Sequence, residues 1–293
     1  MKNNLPEIRR GKLKRLLEEK EFIRGIEVSN GLTGLIAEKT AVGNKSFNAM
    51  WFSSFCSSAL KGKPDNEIVD FSSRLSSVEE IFSVTTKPLI FDGDTGGKTE
   101  HFVNNVRELE RIGVSAVVIE DKTGLKQNSL TGSVQILEKK EVFADKIRQG
   151  KQALQTDDFM IFARLEGFIA GRDINYVYEC ARAYIDAGAD GIMIHSGKSD
   201  GKEIMDFLRL IKQKYSDIPI MLVPTAYPQF TEKQLIDSGA DIVVYANHML
   251  RSAFKSMLNT AKQILLDERA LDVSRENCAS MQDILDIIGD END

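Results

Sequence analysis

Short runs of apolar and β-branched residues recur along the chain, and eight have the length of a strand: Gly25–Val28, Ala49–Phe52, Pro88–Phe91, Ala116–Ile119, Met160–Ala163, Gly191–Ile194, Ile220–Val223 and Ile242–Tyr245. A polar turn follows each, and then a stretch whose apolar residues return every three or four positions, the period of an amphipathic helix. The helical stretches are residues 31–40, 66–83, 99–112, 140–154, 173–187, 202–215, 231–238 and 249–267. Strands that are apolar on successive residues must be covered on both faces, the condition of a parallel sheet wrapped in helices. Eight β-then-α units predict a closed (β/α)8 barrel of the TIM type, with an open doubly wound sheet as the alternative. An extra helix at about 5–20, within residues 1–22, precedes the barrel. Residues 249–293 form a C-terminal helical segment whose last part, 271–289, is expected to pack on a neighbouring subunit. No Pro-rich or low-complexity linker divides the chain, so residues 1–293 read as a single domain.

Composition narrows the class. At 293 residues and 42% hydrophobic, the chain has ample material for a closed core, which excludes a disordered protein. Its apolar runs fall far short of the roughly 18 to 20 residues that cross a bilayer. The opening MKNNLPEIRRGKLKRLLEEK lacks the apolar stretch and cleavage site of a secretory signal, which points to the cytoplasm and leaves the Asn44-Lys45-Ser46 glycosylation sequon idle. A formal charge of -6 argues against a nucleic-acid surface, so an anionic ligand must meet locally placed positive groups. Cys56, Cys180 and Cys278 have neither disulfide nor zinc spacing.

In a (β/α)8 barrel the chemistry sits where the strands end at their C-termini. Those ends carry Ser29, Asn30, Ser53, Asp92, Asp94, Glu120, Asp121, Lys122, Arg164, Glu166, His195, Ser196, Thr225, Asn247 and His248. Asp92, Asp94 and Glu120 are hard oxygen donors with no cysteine among them, a set that suits Mg²⁺ or Mn²⁺ rather than zinc. Residues i and i+2 point the same way on an extended strand, which would let Asp92 and Asp94 share a cation. Arg164, His195, Lys122 and Lys126 supply the positive groups a small dianion requires. Solvated loop acids, an ion pair of Arg164 with Glu166 or Glu120, and a satisfied near-core histidine are the bland readings of the same residues. The stretch DGDTGGKT, residues 92–99, imitates a phosphate-binding P-loop, but Asp92 stands where the first glycine is required.

The loop EDKTGLKQNS, Glu120 to Ser129, matches the pattern Glu-Asp-Lys, three variable residues, Lys, one variable, Asn-Ser. Alongside it stand Trp51-Phe52-Ser53-Ser54-Phe55, Pro64-Asp65-Asn66-Glu67, Asp92-Gly93-Asp94-Thr95-Gly96, Ala163-Arg164-Leu165-Glu166, Ile194-His195-Ser196, Val223-Pro224-Thr225 and Ala246-Asn247-His248. From about Gly25 to the C-terminal region the chain thereby resembles the phosphoenolpyruvate mutase branch of the isocitrate lyase superfamily. The resemblance implies interconversion of phosphoenolpyruvate and phosphonopyruvate, the step that makes the carbon–phosphorus bond of phosphonates. It implies Mg²⁺, with Mn²⁺ as a substitute, around Asp92, Asp94 and Glu120. Trp51, Ser53, Ser54 and Phe55 would surround the pyruvyl unit, while Arg164, His195, Asn128 and Ser129 would hold the phosphoryl oxygens. Asp65, Lys126, Asn128, Arg164 and His195 would be the catalytic group. A homotetramer of paired subunits exchanging their C-terminal helices is implied as well.

Phosphoryl transfer through a loose transition state asks for positioning and exclusion of water, hence for a lid. The loop from Lys122 to about Glu138 is the candidate, bringing Lys126, Asn128 and Ser129 over the substrate. Two departures from the family pattern matter. After Asp94 the chain reads Thr95-Gly96-Gly97-Lys98, one residue shorter than Thr-Gly-Tyr-Gly or Thr-Gly-Phe-Gly. The lid segment Lys126-Gln127-Asn128-Ser129-Leu130 lacks the Cys and His of the carbon–carbon lyases, which argues against isocitrate or methylisocitrate cleavage. The alternatives are a phosphonopyruvate or other 2-oxo acid hydrolase on the same scaffold, and a catalytically silent barrel.

Overall fold

A computed structural model describes residues 5–289 except Leu125, Leu130, Thr131 and Ser133. Helices α1 (Pro6–Arg10) and α2 (Lys12–Glu18) lead into β1 (Ile23–Val28) and α3 (Gly31–Lys39). A hairpin of β2 (Ala41–Val42) and β3 (Lys45–Ser46) precedes β4 (Ala49–Phe52), α4 (Ser54–Leu60) and α5 (Phe71–Val84). The alternation continues through β5 (Leu89–Asp92), α6 (Thr99–Ile112), β6 (Ala116–Glu120), α7 (Lys140–Ala153), β7 (Met160–Leu165) and α8 (Ile174–Asp186). It ends with β8 (Gly191–Ile194), α9 (Lys202–Lys214), β9 (Ile220–Leu222), α10 (Glu232–Asp237), β10 (Ile242–Tyr245), α11 (His248–Asp267), α12 (Leu271–Glu276) and α13 (Met281–Ile288).

β1 and β4 to β10 form a closed, all-parallel barrel in chain order. Closure is direct: Gly25 on β1 stands opposite Val244 of β10 on one side and Ala49 of β4 on the other. An edge strand is thus absent from this sheet, and the open arrangement is ruled out.

Side-chain alternation explains why the strands are apolar throughout. Ala116 and Val118 of β6 point into the barrel with Trp51, Ile90, Phe162, Met193 and Val244, while Val117 and Ile119 point outward against the helices. Leu13 of α2 is fully buried in the interior cluster, so the helix before the barrel plugs its N-terminal end. Arg9 of α1 fixes that plug from below: its guanidinium donates to the carbonyls of Phe82 and Thr85 and lies 3.9 Å over the Phe82 ring.

Departures from the expected elements have local causes. The helix expected over 66–83 starts at Phe71, because Asp70 caps it by accepting from the Ser73 N–H at 2.9 Å. The single N-terminal helix is two short ones meeting at Gly11, and 271–289 likewise divides into α12 and α13. Serine-rich α4 carries no strong apolar period, and its start is set by the Ser53 side chain accepting from Cys56 N–H. α11 leaves the barrel with none of its residues buried, and Phe254, Met257, Leu265 and Leu266 exposed.

Register also fixes one small residue. Gly191 pairs with Phe162 across β7 and β8, and a Cβ there would sit 2.1 Å from the Phe162 ring. Gly191→Ala is expected to destabilise the fold by about 1–3 kcal/mol through overpacking, read as a lower urea midpoint at unchanged slope.

Candidate active site

The C-terminal ends of the strands open into a cavity of about 650 Å³. Trp51, Ser53, Ser54, Phe55, Asp65, Asp92, Glu120, Lys126, Asn128, Ser129, Arg164 and His195 all line it, joined by Met193, Val223, Thr225, Ala246, Asn247 and Arg251. Of the residues expected to be catalytic or to bind substrate or metal, Asp94 alone does not line the cavity and instead contacts Lys126; of the other strand-end residues, Ser29, Asn30, Asp121, Lys122, Glu166, Ser196 and His248 also lie outside its lining.

Acids gather on one side. Asp92, the last residue of β5, accepts from the Ser54 amide (3.1 Å) and hydroxyl (2.6 Å) at the start of α4. Extended geometry does not bring Asp94 beside it. The strand stops at Asp92, and Asp94 turns into the left-handed region with φ 54°. Arg74 of α5 holds the turn, donating to Asp94 Oδ2 at 2.8 Å and to the Asp92 carbonyl while its guanidinium lies 4.4 Å over the Phe91 ring. Lys126 takes the other Asp94 oxygen. Burial alone would raise the Asp94 carboxyl, but Lys126 and Arg74 outweigh it and hold it at about 2. Glu67 accepts from the Thr95 amide (2.9 Å) and hydroxyl (2.6 Å), and Lys146 donates to the carbonyls of Thr95 and Gly97 at 2.8 and 2.7 Å. Two side chains from distant parts of the chain therefore anchor the shortened Thr95-Gly96-Gly97 turn. Its flanking carboxylates make it no phosphate cradle.

Glu120 ends β6 fully buried. Lys122 and Arg164 lie 3.1 and 3.4 Å from its two oxygens, yet among the described residues neither oxygen receives a hydrogen bond. Desolvation pushes this carboxyl up to about 7 against the pull of Arg164. Its neighbour Asp121 turns away from the cavity, accepting from the Glu166 amide at 2.8 Å and the Tyr184 hydroxyl at 3.0 Å, and burial raises it to about 7 as well. Asp121 is a brace behind the wall.

The opposite side is basic. Arg164 Nε lies 2.5 Å from Glu166 Oε1, and His195 Nδ1 is 2.9 Å from the same oxygen. The loop after β6 leaves and returns as a short antiparallel ladder, with Lys122 paired to Leu137 and Thr123 N–H donating to the Ile136 carbonyl at 2.9 Å. Four residues of the expected lid, Leu125, Leu130, Thr131 and Ser133, lie outside the described residues. Its described part reaches across the cavity: Lys126 Nζ bonds Asp65 Oδ1 at 2.7 Å and Ser54 Oγ at 3.0 Å, and Asn128 Nδ2 bonds Asp65 Oδ2 at 2.9 Å.

The donor set fits a hard divalent cation. Glu120 and Asp92 both line the cavity, and among the described residues no donor reaches the buried Glu120 oxygens. Among the described residues no trio of acidic, imidazole or thiol side chains converges closely enough to chelate an ion alone. Water and ligand oxygens must complete such a shell, as is usual for Mg²⁺. A small molecule with oxygens for a cation at one end and negative charge at the other matches the division of the cavity.

The model of the phosphoenolpyruvate phosphomutase family matches residues 13–265, most of the chain. The chain belongs to this family. Its relatives carry more than one activity. A phosphonopyruvate hydrolase of Variovorax sp. is 34% identical over 95% of this chain and 94% of its own. The crystal structure of phosphoenolpyruvate phosphomutase from Streptomyces platensis subsp. rosaceus superposes with a TM-score of 0.88 at 32% identity, over 95% of this chain and 94% of that one. A phosphonopyruvate hydrolase in complex with oxalate and Mg²⁺ superposes at 0.86, also 32% identical, over 96% and 95% of the two chains. Family membership therefore fixes the scaffold and an enzyme of this superfamily, and leaves two activities at equal distance.

Arg74, Lys146 and the bracing role of Glu67 were not among the residues expected at the site. Arg74 had a signal: it falls in the buried stripe of α5 with Val78 and Ile81, where a charge must have a partner. The raised Asp121 carboxyl carries a pH consequence. A carboxyl whose folded value exceeds its unfolded value near 4 binds more protons when folded, so stability declines as pH climbs between the two. In metal-free protein Asp121 should therefore contribute a loss of stability from pH 4 to 7. Asp121→Asn should flatten that slope, measured by urea unfolding at each pH; an unaltered slope would remove Asp121 from the cause.

Proposed function

We propose that the protein is a Mg²⁺-dependent phosphoenolpyruvate mutase interconverting phosphoenolpyruvate and phosphonopyruvate, the entry step to phosphonate biosynthesis. The observation that carries this reading is the convergence of Lys126 and Asn128 on the two oxygens of Asp65. Both lid residues thereby close over the group nearest the expected reacting centre. A tight cover favours return of the phosphoryl group to carbon over its capture by water. Asp92, Asp94 and Glu120 are the residues proposed to hold the cation, with Asp94 acting from behind the wall. When bound, Mg²⁺ would stabilise negative charge on the enolate oxygen. Trp51, Ser53, Ser54 and Phe55 would seat the pyruvyl unit. Arg164, His195, Asn128 and Ser129 would hold the phosphoryl oxygens while the oxygen–phosphorus bond breaks and the carbon–phosphorus bond forms. The exposed apolar residues of α11 support a homotetramer of helix-exchanging pairs, and the cytoplasm remains the expected compartment.

The hydrolase relative at 34% identity supports a second reading, in which water takes the phosphoryl group of phosphonopyruvate. Phosphorus NMR of the protein with phosphonopyruvate and Mg²⁺, against a chelated control, separates the two. Phosphoenolpyruvate should appear; inorganic phosphate in its place would establish the hydrolase, and an unchanged phosphonate signal would refute both. Asp65→Ala should reduce turnover at least about a thousandfold with the circular dichroism unchanged, as for loss of a group acting at the reacting atoms. Asn128→Ala should lower turnover while Mg²⁺ affinity by calorimetry stays within about threefold; equal losses would show that the lid residue belongs to the metal end instead.

A further inference from the structure

Glu166 is fully buried, and its two oxygens collect the groups proposed to grip the phosphoryl end. Oε2 accepts the Ser129 hydroxyl at 2.7 Å; Oε1 receives Arg164 Nε at 2.5 Å and lies 2.9 Å from His195 Nδ1. The Ser129 hydroxyl in turn accepts from Arg164 and from Lys122, each at 3.1 Å. One donated and two accepted bonds are all a hydroxyl can make, so this corner has a single consistent proton arrangement.

His195 Nδ1 faces two neighbours with opposite demands. Glu166 Oε1 requires a proton on that nitrogen, whereas the terminal Arg164 nitrogen, 3.0 Å away, would donate to a lone pair. That Arg164 nitrogen carries two hydrogens and gives one of them to Ser129, whereas the Glu166 oxygen has none and can only accept. The carboxylate is kept ionised, since burial, which would raise it, is outweighed by the Arg164 guanidinium together with the hydrogen bond from His195, and it lies far below the usual range. A bare ring nitrogen opposed to a carboxylate oxygen at 2.9 Å would set lone pair against lone pair. Burial lowers the proton affinity of His195, which leaves the ring neutral with one N–H.

We propose that Glu166 is a positioning residue that fixes His195 as the Nδ1–H tautomer while tying Arg164 and the lid hydroxyl of Ser129 to the same carboxylate. Nε2 is then the nitrogen with the lone pair, in a ring that lines the cavity. The ring offers an acceptor, so it recognises an anion oxygen that carries a proton, a monoprotonated phosphoryl oxygen if the proposed reaction holds. The functional meaning rests on that reaction; the tautomer does not.

Nitrogen-15 NMR of the ligand-free protein with labelled histidine tests the tautomer directly, since only His101, His195 and His248 contribute and His195→Asn assigns the signal. Wild type and Glu166→Gln, which keeps an acceptor oxygen, should show Nδ1–H. Glu166→Ala should convert the ring to Nε2–H as Arg164 takes over Nδ1, and should cost turnover at least about tenfold more than Glu166→Gln, by the loss of orientation. An Nε2–H ring in the wild type, or an Nδ1–H ring surviving in Glu166→Ala, would overturn the proposal. The wild-type spectrum decides even where Glu166→Ala does not fold. A protein that shows the Nδ1–H ring but converts no phosphonopyruvate would retain this assignment and lose the proposed reaction.

Discussion

Charge balance among buried groups is the constraint on which this site depends. Asp65, Asp92, Asp94, Glu120 and Glu166 bring five carboxylates to one end of the barrel, and Arg74, Lys122, Lys126 and Arg164 answer with four cations. Uncompensated charge at such depth costs several kcal/mol, roughly, for each ion. The pairing is therefore not optional, and it dictates where each side chain points. Among the described residues Glu120 is the carboxylate with nearby cations but without hydrogen bonds, the local imbalance that a divalent cation would relieve.

Closure of the barrel makes that balance possible. Asp65 precedes α5, Asp92 and Asp94 stand at the end of β5, Glu120 ends β6 and Glu166 follows β7, while Arg74 comes from α5, Arg164 from β7 and Lys122 and Lys126 from the loop after β6, so the balance is assembled from separate elements. Interior packing of Trp51, Phe162, Met193 and Val244 keeps the strand ends at fixed spacing, while Leu13 seals the far end. Stability and chemistry thus occupy opposite ends of one core, as the architecture favours.

Much of this was legible in the chain. Unbroken apolar strands, amphipathic helices and their eightfold alternation define a parallel barrel, and three strands, Ala49–Phe52, Gly191–Ile194 and Ile242–Tyr245, have the bounds expected of them. Reading the residues after each strand located Ser53, Asp92, Glu120, Arg164, His195, Thr225 and Asn247 of the cavity, because a barrel's mouth is assembled at those positions, while Trp51, Ser54, Phe55, Asp65, Asn128 and Ser129 were named through the family resemblance. What stayed hidden were groups whose part depends on three-dimensional approach. Arg74 reaches Asp94 from the middle of a helix, Lys146 reaches Thr95 from a helix after the lid, and α4 has too little apolar period to announce itself. The left-handed turn at Asp94 was hidden too, since nothing in Asp-Gly-Asp says where the strand stops.

One feature of the cavity wall makes the molecule its own optical probe. Trp51 is the chain's single tryptophan, only 2% exposed, and it lines the cavity together with Ser54, the serine that holds Asp92. Its emission comes from no other part of the protein, so any spectral change on adding a cation or a small anion originates at the strand ends. Occupancy can therefore be followed in unlabelled protein, on the timescale of mixing, without coupling the signal to turnover.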